Sequence, residues 1–395
     1  MAEKLSNIYL IFVLVGMSIS PTFATEDGTG RNFLLIAIMS LAPLVLFLYG
    51  KIGKMDILPI LMIMLSIINP LLIHSQMLRW STVLFGAMFC LNFMSYDKAL
   101  QLGGFQIKQY LSCIKCLIYA YVVVMVIQQM CVLLGELIFN ISNYDIRQPW
   151  KLNSLSAEPS HSVRYMALLM YSFISIKECA RGEKYDLAHG LTKDLYIWIS
   201  FIWVMVSSVS STAFLFLFII LLKFLSKQNI LVLLCIVIGI ILAMSLIGNN
   251  TFERTFQFTL AAMTFDDQVM IKTDPGAAAR IAPMIICAKN IDLASIDTWL
   301  GHGIDSVVWL MNRYFPSIHT GGGAFALLYE YGLVSFVLYL IFSFKVVVYK
   351  KDLISYLFWF FLCLNEGFNM QITWSAIIFC YTNNYFRKNY NLKYD

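Results

Sequence analysis

Long apolar runs recur along this chain near 5–24, 32–50, 56–74, 78–94, 113–139, 162–177, 194–209, 211–225, 229–248, 325–344, 353–365 and 371–386. A helix needs roughly 20 mostly apolar residues to cross a bilayer. So many runs of that size leave one fold class: an all-α, polytopic transmembrane helix bundle of about 12 spans. Composition agrees. Charged residues make up 13% of the chain and hydrophobic ones 59%, whereas soluble domains carry roughly 25% charged residues. The pattern predicts a single integral membrane domain over 1–395, with no soluble part large enough to fold alone.

Two runs need interpretation. The stretch 194–225 is too long for one span and carries Ser207, Ser208, Ser210 and Ser211 at its middle, which predicts two short helices joined by a serine turn. The stretch 353–386 is broken near Glu366-Gly367-Phe368-Asn369.

Orientation follows from Lys and Arg, which are retained on the cytoplasmic side. With both termini inside, the short inner loops hold Lys51, Lys54, Lys98, Lys184, Lys193, Lys227, Lys350 and Lys351. Half of the basic residues outside fall in one long loop, where the rule has least force. Lys4, a short hydrophobic stretch and Thr22-Phe23-Ala24 loosely fit a cleavable signal peptide, but one basic residue is a thin leader, so a retained first helix is favoured. The net charge of +5 matters through its distribution over loops, and no nucleic-acid partner is expected. Of the nine cysteines only Cys287 falls in the large outer loop, which predicts no disulfide. Cys113 and Cys116 form a CxxC with no second pair or nearby His, so no metal site is expected.

Two external loops are large. One covers 140–161; the other covers 249–324 and is too long to be structureless without a function. Within it AAARIAPMIICAKN (277–290) spaces apolar side chains at helical intervals, which predicts an interfacial helix at the mouth of the bundle.

Few ionisable residues lie inside the apolar runs; Glu136 and Glu330 are the exceptions. Ion-driven transporters usually need several such groups at the midplane. The polar residues gather instead in the two outer loops, which points to an event at the outer membrane face. Arg280 lies near the start of the predicted interfacial helix and Arg164 near the start of the sixth span. Two converging arginines suit a pyrophosphate through charge-assisted bidentate bonds, although each also suits a topology anchor or headgroup contact. Glu158 precedes Pro159 and is thereby biased to extended backbone at a helix entrance. A carboxylate there could take a proton from an attacking hydroxyl; the commoner case is a helix-entrance acid without a role. His319, ahead of Gly321-Gly322-Gly323, is a second candidate base or phosphate ligand. His161 and His302 are further candidates, and the ligands that would make His302 part of a metal site are not found.

These residues, in this order, resemble a known family. Glu158-Pro159-Ser160-His161 ahead of a helix, a long outer loop with Arg280, Trp299-Leu300-Gly301-His302-Gly303, and His319 before Phe325-Ala326-Leu327-Leu328-Tyr329-Glu330-Tyr331-Gly332-Leu333 are similar to the bacterial O-antigen polymerases of the Wzy type. That family sits in the wider O-antigen polymerase and ligase group of membrane glycosyltransferases. The resemblance covers most of the chain by architecture, and 155–165, 276–282, 299–303 and 319–333 by residue pattern. It implies a multi-pass protein of the bacterial inner membrane, working in lipopolysaccharide biosynthesis with its active site facing the periplasm. The implied reaction transfers a growing glycan from undecaprenyl diphosphate to an incoming undecaprenyl-diphosphate-linked oligosaccharide repeat unit. No cofactor is implied; membrane lipid and a polysaccharide chain-length regulator are the implied partners. Arg280 and Arg164 would hold the diphosphate, and Glu158 or His319 would be the base. Two alternatives stand beside it. One is an O-antigen ligase with lipid A core as acceptor; the other, a non-enzyme, is a flippase for the lipid-linked unit, for which shorter outer loops and a polar central cavity are expected.

Overall fold

The computed structural model describes residues 2–21, 23–24, 30–73, 79–102, 104–140, 149–208, 210–225, 257, 260–261, 263–264, 266–273, 275–314 and 323–391. Among the described residues the protein is all-helical apart from a short antiparallel pairing of Phe23–Ala24 with Gly30–Arg31. Its helices are α1 (Ala2–Ser18), α2 (Phe33–Tyr49), α3 (Ile57–Ile73), α4 (Trp80–Gln101), α5 (Ile107–Leu134), α6 (Pro159–Arg181), α7 (Leu187–Lys193), α8 (Leu195–Ser207) and α9 (Ser211–Leu222). They continue as α10 (Asp267–Thr273), α11 (Pro275–Lys289), α12 (Ile296–Leu300), α13 (Ser306–Asn312), α14 (Ala324–Val347), α15 (Leu353–Phe358) and α16 (Gln371–Asn391), with a π-helical turn over Trp359–Leu364 extending α15. Two of them, α5 and α14, are long and apolar enough to cross a membrane. The run at 229–248 and residues His319, Gly321 and Gly322 lie outside the described residues.

Local chemistry sets the boundaries. The fifth helix begins at Ile107 rather than near 113 because Gln106 and Gln109 close a capping box, which satisfies two otherwise orphaned N–H groups. It stops at Gly135, whose φ of 70° makes a left-handed cap. Glu136 therefore lies beyond the helix and is exposed, not within the apolar run. The fourth helix runs on to Gln101, and Lys98, near its end, lies 2.5 Å from Asp56. The serine turn separates α8 from α9, and the break around Glu366 separates the π-helical turn from α16.

The most buried helices are not the most apolar. From Pro159 to Ile176 only His161 of α6 escapes full burial. This helix packs against α5, α8, α9 and α16. Its seam with α16 is polar and satisfied: Asn383 donates to Ser172 Oγ (3.0 Å) and accepts from Tyr110 Oη (3.1 Å). The outer helix faces instead expose Phe47, Leu72, Leu134, Tyr196 and Val206. At one end of the bundle Asp352 gathers Arg387 (2.9 Å), Tyr171 Oη (3.0 Å) and Lys223 (3.5 Å), tying α6, α9 and α16 together.

The opposite end carries two built connections. The segment before α6 is buried rather than loose. Gln128 of α5 accepts the Ser154 N–H (2.8 Å) and donates to Asn153 Oδ1 (3.1 Å); Ala157 N–H donates to Ser20 Oγ (3.1 Å) and Ser20 N–H to the Leu155 carbonyl (3.0 Å). The second connection is a backbone interlock. Helix α14 is broken at Gly332 (φ 85°, ψ 169°), and the turn at Gly301 seats in the break. A Cβ on Gly332 would run into the Trp299 carbonyl, and one on Gly301 into the Glu330 carbonyl. His302 N–H donates to the Tyr329 carbonyl (2.9 Å) and Asn69 to that of Tyr331 (2.9 Å), which satisfies carbonyls the break releases.

Candidate functional site

The site region is organised by the first turns of α6. Glu158 is its N-cap, with φ −147° and ψ 159°, the extended geometry that a following proline favours. Pro159 then starts the helix with a ring whose missing N–H costs nothing there. The hydrogen-bonded segment 152–157 fixes where this start lies. Two neighbours converge on one oxygen of Glu158: Ser160 Oγ at 2.5 Å and His161 Nε2 at 3.1 Å, both to Oε1. The Glu158 side chain remains about a third exposed and that of His161 about a fifth. The structure thus presents a carboxylate–imidazole pair at an open position, an arrangement suited to accepting a proton from a hydroxyl.

Arg164 follows three residues after His161, on the same face of α6 and deeper. It is buried, and its Nη1 lies 2.7 Å from Glu366 Oε1. Glu366 stands on the irregular connection between the π-helical turn and α16. That connection touches the start of α14. A Cβ on Gly323 (φ 59°) would lie 2.8 Å from the Leu364 carbonyl oxygen and 2.9 Å from that of Asn365. Only glycine fits so close an approach at a positive φ.

The remaining candidates sit around α14. Arg280 is on α11, within the expected helix, which runs Pro275–Lys289. Ala278, Ala282 and Ile286 of α11 and Leu310 of α13 form a small second core, against which Phe325, Ala326 and Tyr329 of α14 pack. The helix bearing Arg280 and the close approach of Gly323 to Asn365 therefore share the first turns of α14. His319 lies outside the described residues. His302 is occupied by the interlock: its ring stacks on Tyr329 with centroids 4.1 Å apart, and Nδ1 is 3.1 Å from the Tyr329 carbonyl. It is not brought to the Glu158 pair. Glu330, the ionisable residue inside the tenth run, accepts backbone N–H groups of Val307 and Asp305 and so holds the start of α13. Among the described residues no three His, Cys, Asp or Glu side chains gather as metal ligands.

No family model, no characterised protein and no solved structure matches this chain.

Sequence reading brought Glu158, His161 and Arg164 forward and missed Glu366, which it took only as a marker of a helix break. An acid in a break between apolar runs, with one buried arginine on another helix needing a partner, is the signal that would have found it.

Proposed function

We propose that the protein is a lipid-carrier-dependent glycosyltransferase of the bacterial inner membrane that polymerises O-antigen repeat units at the periplasmic face. The observation that carries this reading is the layered arrangement on α6. A carboxylate–imidazole pair at the open helix start lies above a buried arginine, beside the Gly323 edge that α14 shares with the helix of Arg280. The apolar outer faces support a membrane setting, since soluble monomers rarely expose so much contiguous apolar surface.

The reaction assigns each part a task. The acceptor sugar hydroxyl gives its proton to the Glu158–His161 pair as its oxygen attacks the anomeric carbon of the donor glycan. The bond from that carbon to the diphosphate oxygen breaks, and the electron pair leaves with undecaprenyl diphosphate. Arg164 and Arg280 stabilise the charge gathering on the leaving group. His319 is the second candidate base. The lipid tails lie against the apolar helix faces while the sugars remain at the outer end.

Deleting the gene in its own host and separating the lipopolysaccharide by electrophoresis tests the reading. The expected result is collapse of a long ladder to core plus one repeat unit. Loss of all O-antigen with carrier-linked polymer accumulating would make the protein a ligase. Loss with single units trapped on the inner leaflet would make it a flippase, and an unchanged ladder would remove it from this pathway.

A further inference from the structure

We infer that the Asp352 end of the bundle holds the headgroup of an ethanolamine-type phospholipid, its phosphate on Lys184 and Lys351 and its ammonium on Glu183. The inference goes beyond the polymerase reading and rests only on the membrane setting. A cavity of about 600 Å³ opens where α6, α9, α15 and α16 meet, inside the range of roughly 300–1,000 Å³ usual for small-ligand sites. Its charged lining falls into two layers.

The inner layer is complete in itself. Lys223 lies 2.9 Å from Glu178 Oε2 and 3.5 Å from Asp352 Oδ2, and Arg387 is 2.9 Å from that same Asp352 oxygen. The other carboxylate oxygens take backbone donors: Glu178 Oε1 accepts the Tyr185 N–H (3.1 Å) and Asp352 Oδ1 that of Ile354 (3.2 Å). Arg387 also donates to Ser175 Oγ (2.9 Å) and lies over the Tyr349 ring, 4.6 Å from its centroid. Two cations face two carboxylates, so this layer carries no net charge and asks for no ligand. The outer layer differs. Lys184, Lys351 and Glu183 line the same cavity and are exposed, and among the described residues none of the three forms an ion pair. Two ammonium groups and one carboxylate therefore border a walled space. A headgroup carrying a phosphate and an ammonium supplies the complementary charges, and lysines at a membrane surface attract phosphate-bearing lipids. The rim is apolar. Leu353 lines the cavity and, like Leu225 just past α9, is largely exposed. Acyl chains continuing from the headgroup would cover this rim, whereas a soluble phosphate would leave it bare.

Cys179 lines the cavity and is half-buried, so its modification reports occupancy. The test uses the full-length protein in dodecyl maltoside, which brings no phosphate, and follows N-ethylmaleimide addition at Cys179 by peptide mass. Dioleoyl phosphatidylethanolamine at about ten times its Kd should slow the addition roughly tenfold, because only the empty fraction reacts. Dioleoylglycerol, which lacks the phosphate, should leave the rate unchanged. Replacing both exposed lysines, Lys184→Ala with Lys351→Ala, should raise the lipid concentration needed for protection by at least about tenfold. Lys184→Arg with Lys351→Arg should keep it near wild type. Glu183→Gln should weaken protection by phosphatidylethanolamine and not by phosphatidylglycerol. Full protection of the folded double-alanine variant, or equal protection of wild type by dioleoylglycerol, would sink the site. Phosphatidylglycerol acting as well as phosphatidylethanolamine on wild type would remove the ammonium contact and the ethanolamine assignment with it. Phosphoethanolamine without tails acting equally well would transfer the site from lipid to soluble phosphates. None of these readouts involves glycan transfer: absent protection leaves the polymerase reading untouched, and an unchanged lipopolysaccharide ladder leaves the lipid site standing.

Discussion

Glu158 and His161 meet through one carboxylate oxygen, so a change at either residue should act on proton transfer before it acts on binding. Glu158→Gln keeps the shape and the hydrogen bond to Ser160 but removes the basic oxygen. A positioned general base contributes roughly 10²–10⁴-fold, so the turnover for chain extension should fall by at least about a hundredfold with KM little changed. The check is steady-state transfer with a synthetic lipid-linked repeat unit. An unchanged rate would move the base to His319. At the other end of α6, Asp352 answers to a different balance. Burial pushes its carboxyl upward, but Lys223 and Arg387 outweigh burial and hold it below the ordinary carboxylate range. A group whose folded value is depressed contributes stability above its unfolded value, near about 3.9, and loses that contribution as pH falls through the lower folded value. Asp352→Asn should therefore lower the melting temperature at pH 7, and the gap from wild type should close below about pH 4 in a thermal series.

At the scale of elements, periodicity and loop charge made most helices legible, and the irregular ones were not. The runs around α5, α8, α9 and α14 stand out because their apolar faces are continuous, and the serine turn because four hydroxyls interrupt a run. The interlock of Gly301 with Gly332 left no comparable trace. Both glycines sit in a segment whose composition reads as an uninterrupted span and a simple turn, and only the fold brings the two backbones together. The same limit hid the Arg164–Glu366 pair, since Arg164 lies on α6 and Glu366 on the connection before α16, with most of the later chain between them. The interlock is testable. Ala at 332 would have to adopt a left-handed φ and would meet the Trp299 carbonyl. The strain alone costs roughly 1–3 kcal/mol, and α12 would have to withdraw from α14. Gly332→Ala should lower stability by at least that much and raise proteolytic nicking between 293 and 305. Equal protection of mutant and wild type in limited proteolysis would remove the interlock from the account.

For the whole molecule, α6 provides a ruler from one end of the bundle to the other. Its 23 residues at 1.5 Å each span roughly 34 Å, about the thickness of a bilayer's hydrocarbon core. Lys151 lies just before it, exposed beside the buried connection that seats Glu158; Glu183 lies just after it, exposed beside the Asp352 cluster. The Lys98–Asp56, Lys177–Asp194 and Lys223–Glu178 pairs come from loops and helix ends on the Glu183 side, while the described basic residues on the Lys151 side include the exposed Arg79, which pairs with a half-buried Asp305. Retention of positive charge in the cytoplasm would produce this asymmetry of lysine, and the proposed function requires the Glu158–His161 pair to lie outside. A cysteine replacing Lys151 should react with a membrane-impermeant maleimide once the outer membrane is opened, and one replacing Glu183 only after the inner membrane is also permeabilised. Each change is made in a background whose native Cys116 and Cys179 are replaced by serine, so the label reports the new position. The reverse pattern would turn the bundle over and put the candidate site in the cytoplasm, where carrier-linked repeat units are assembled rather than polymerised; labelling of both positions without permeabilisation would mean that α6 does not cross the membrane at all.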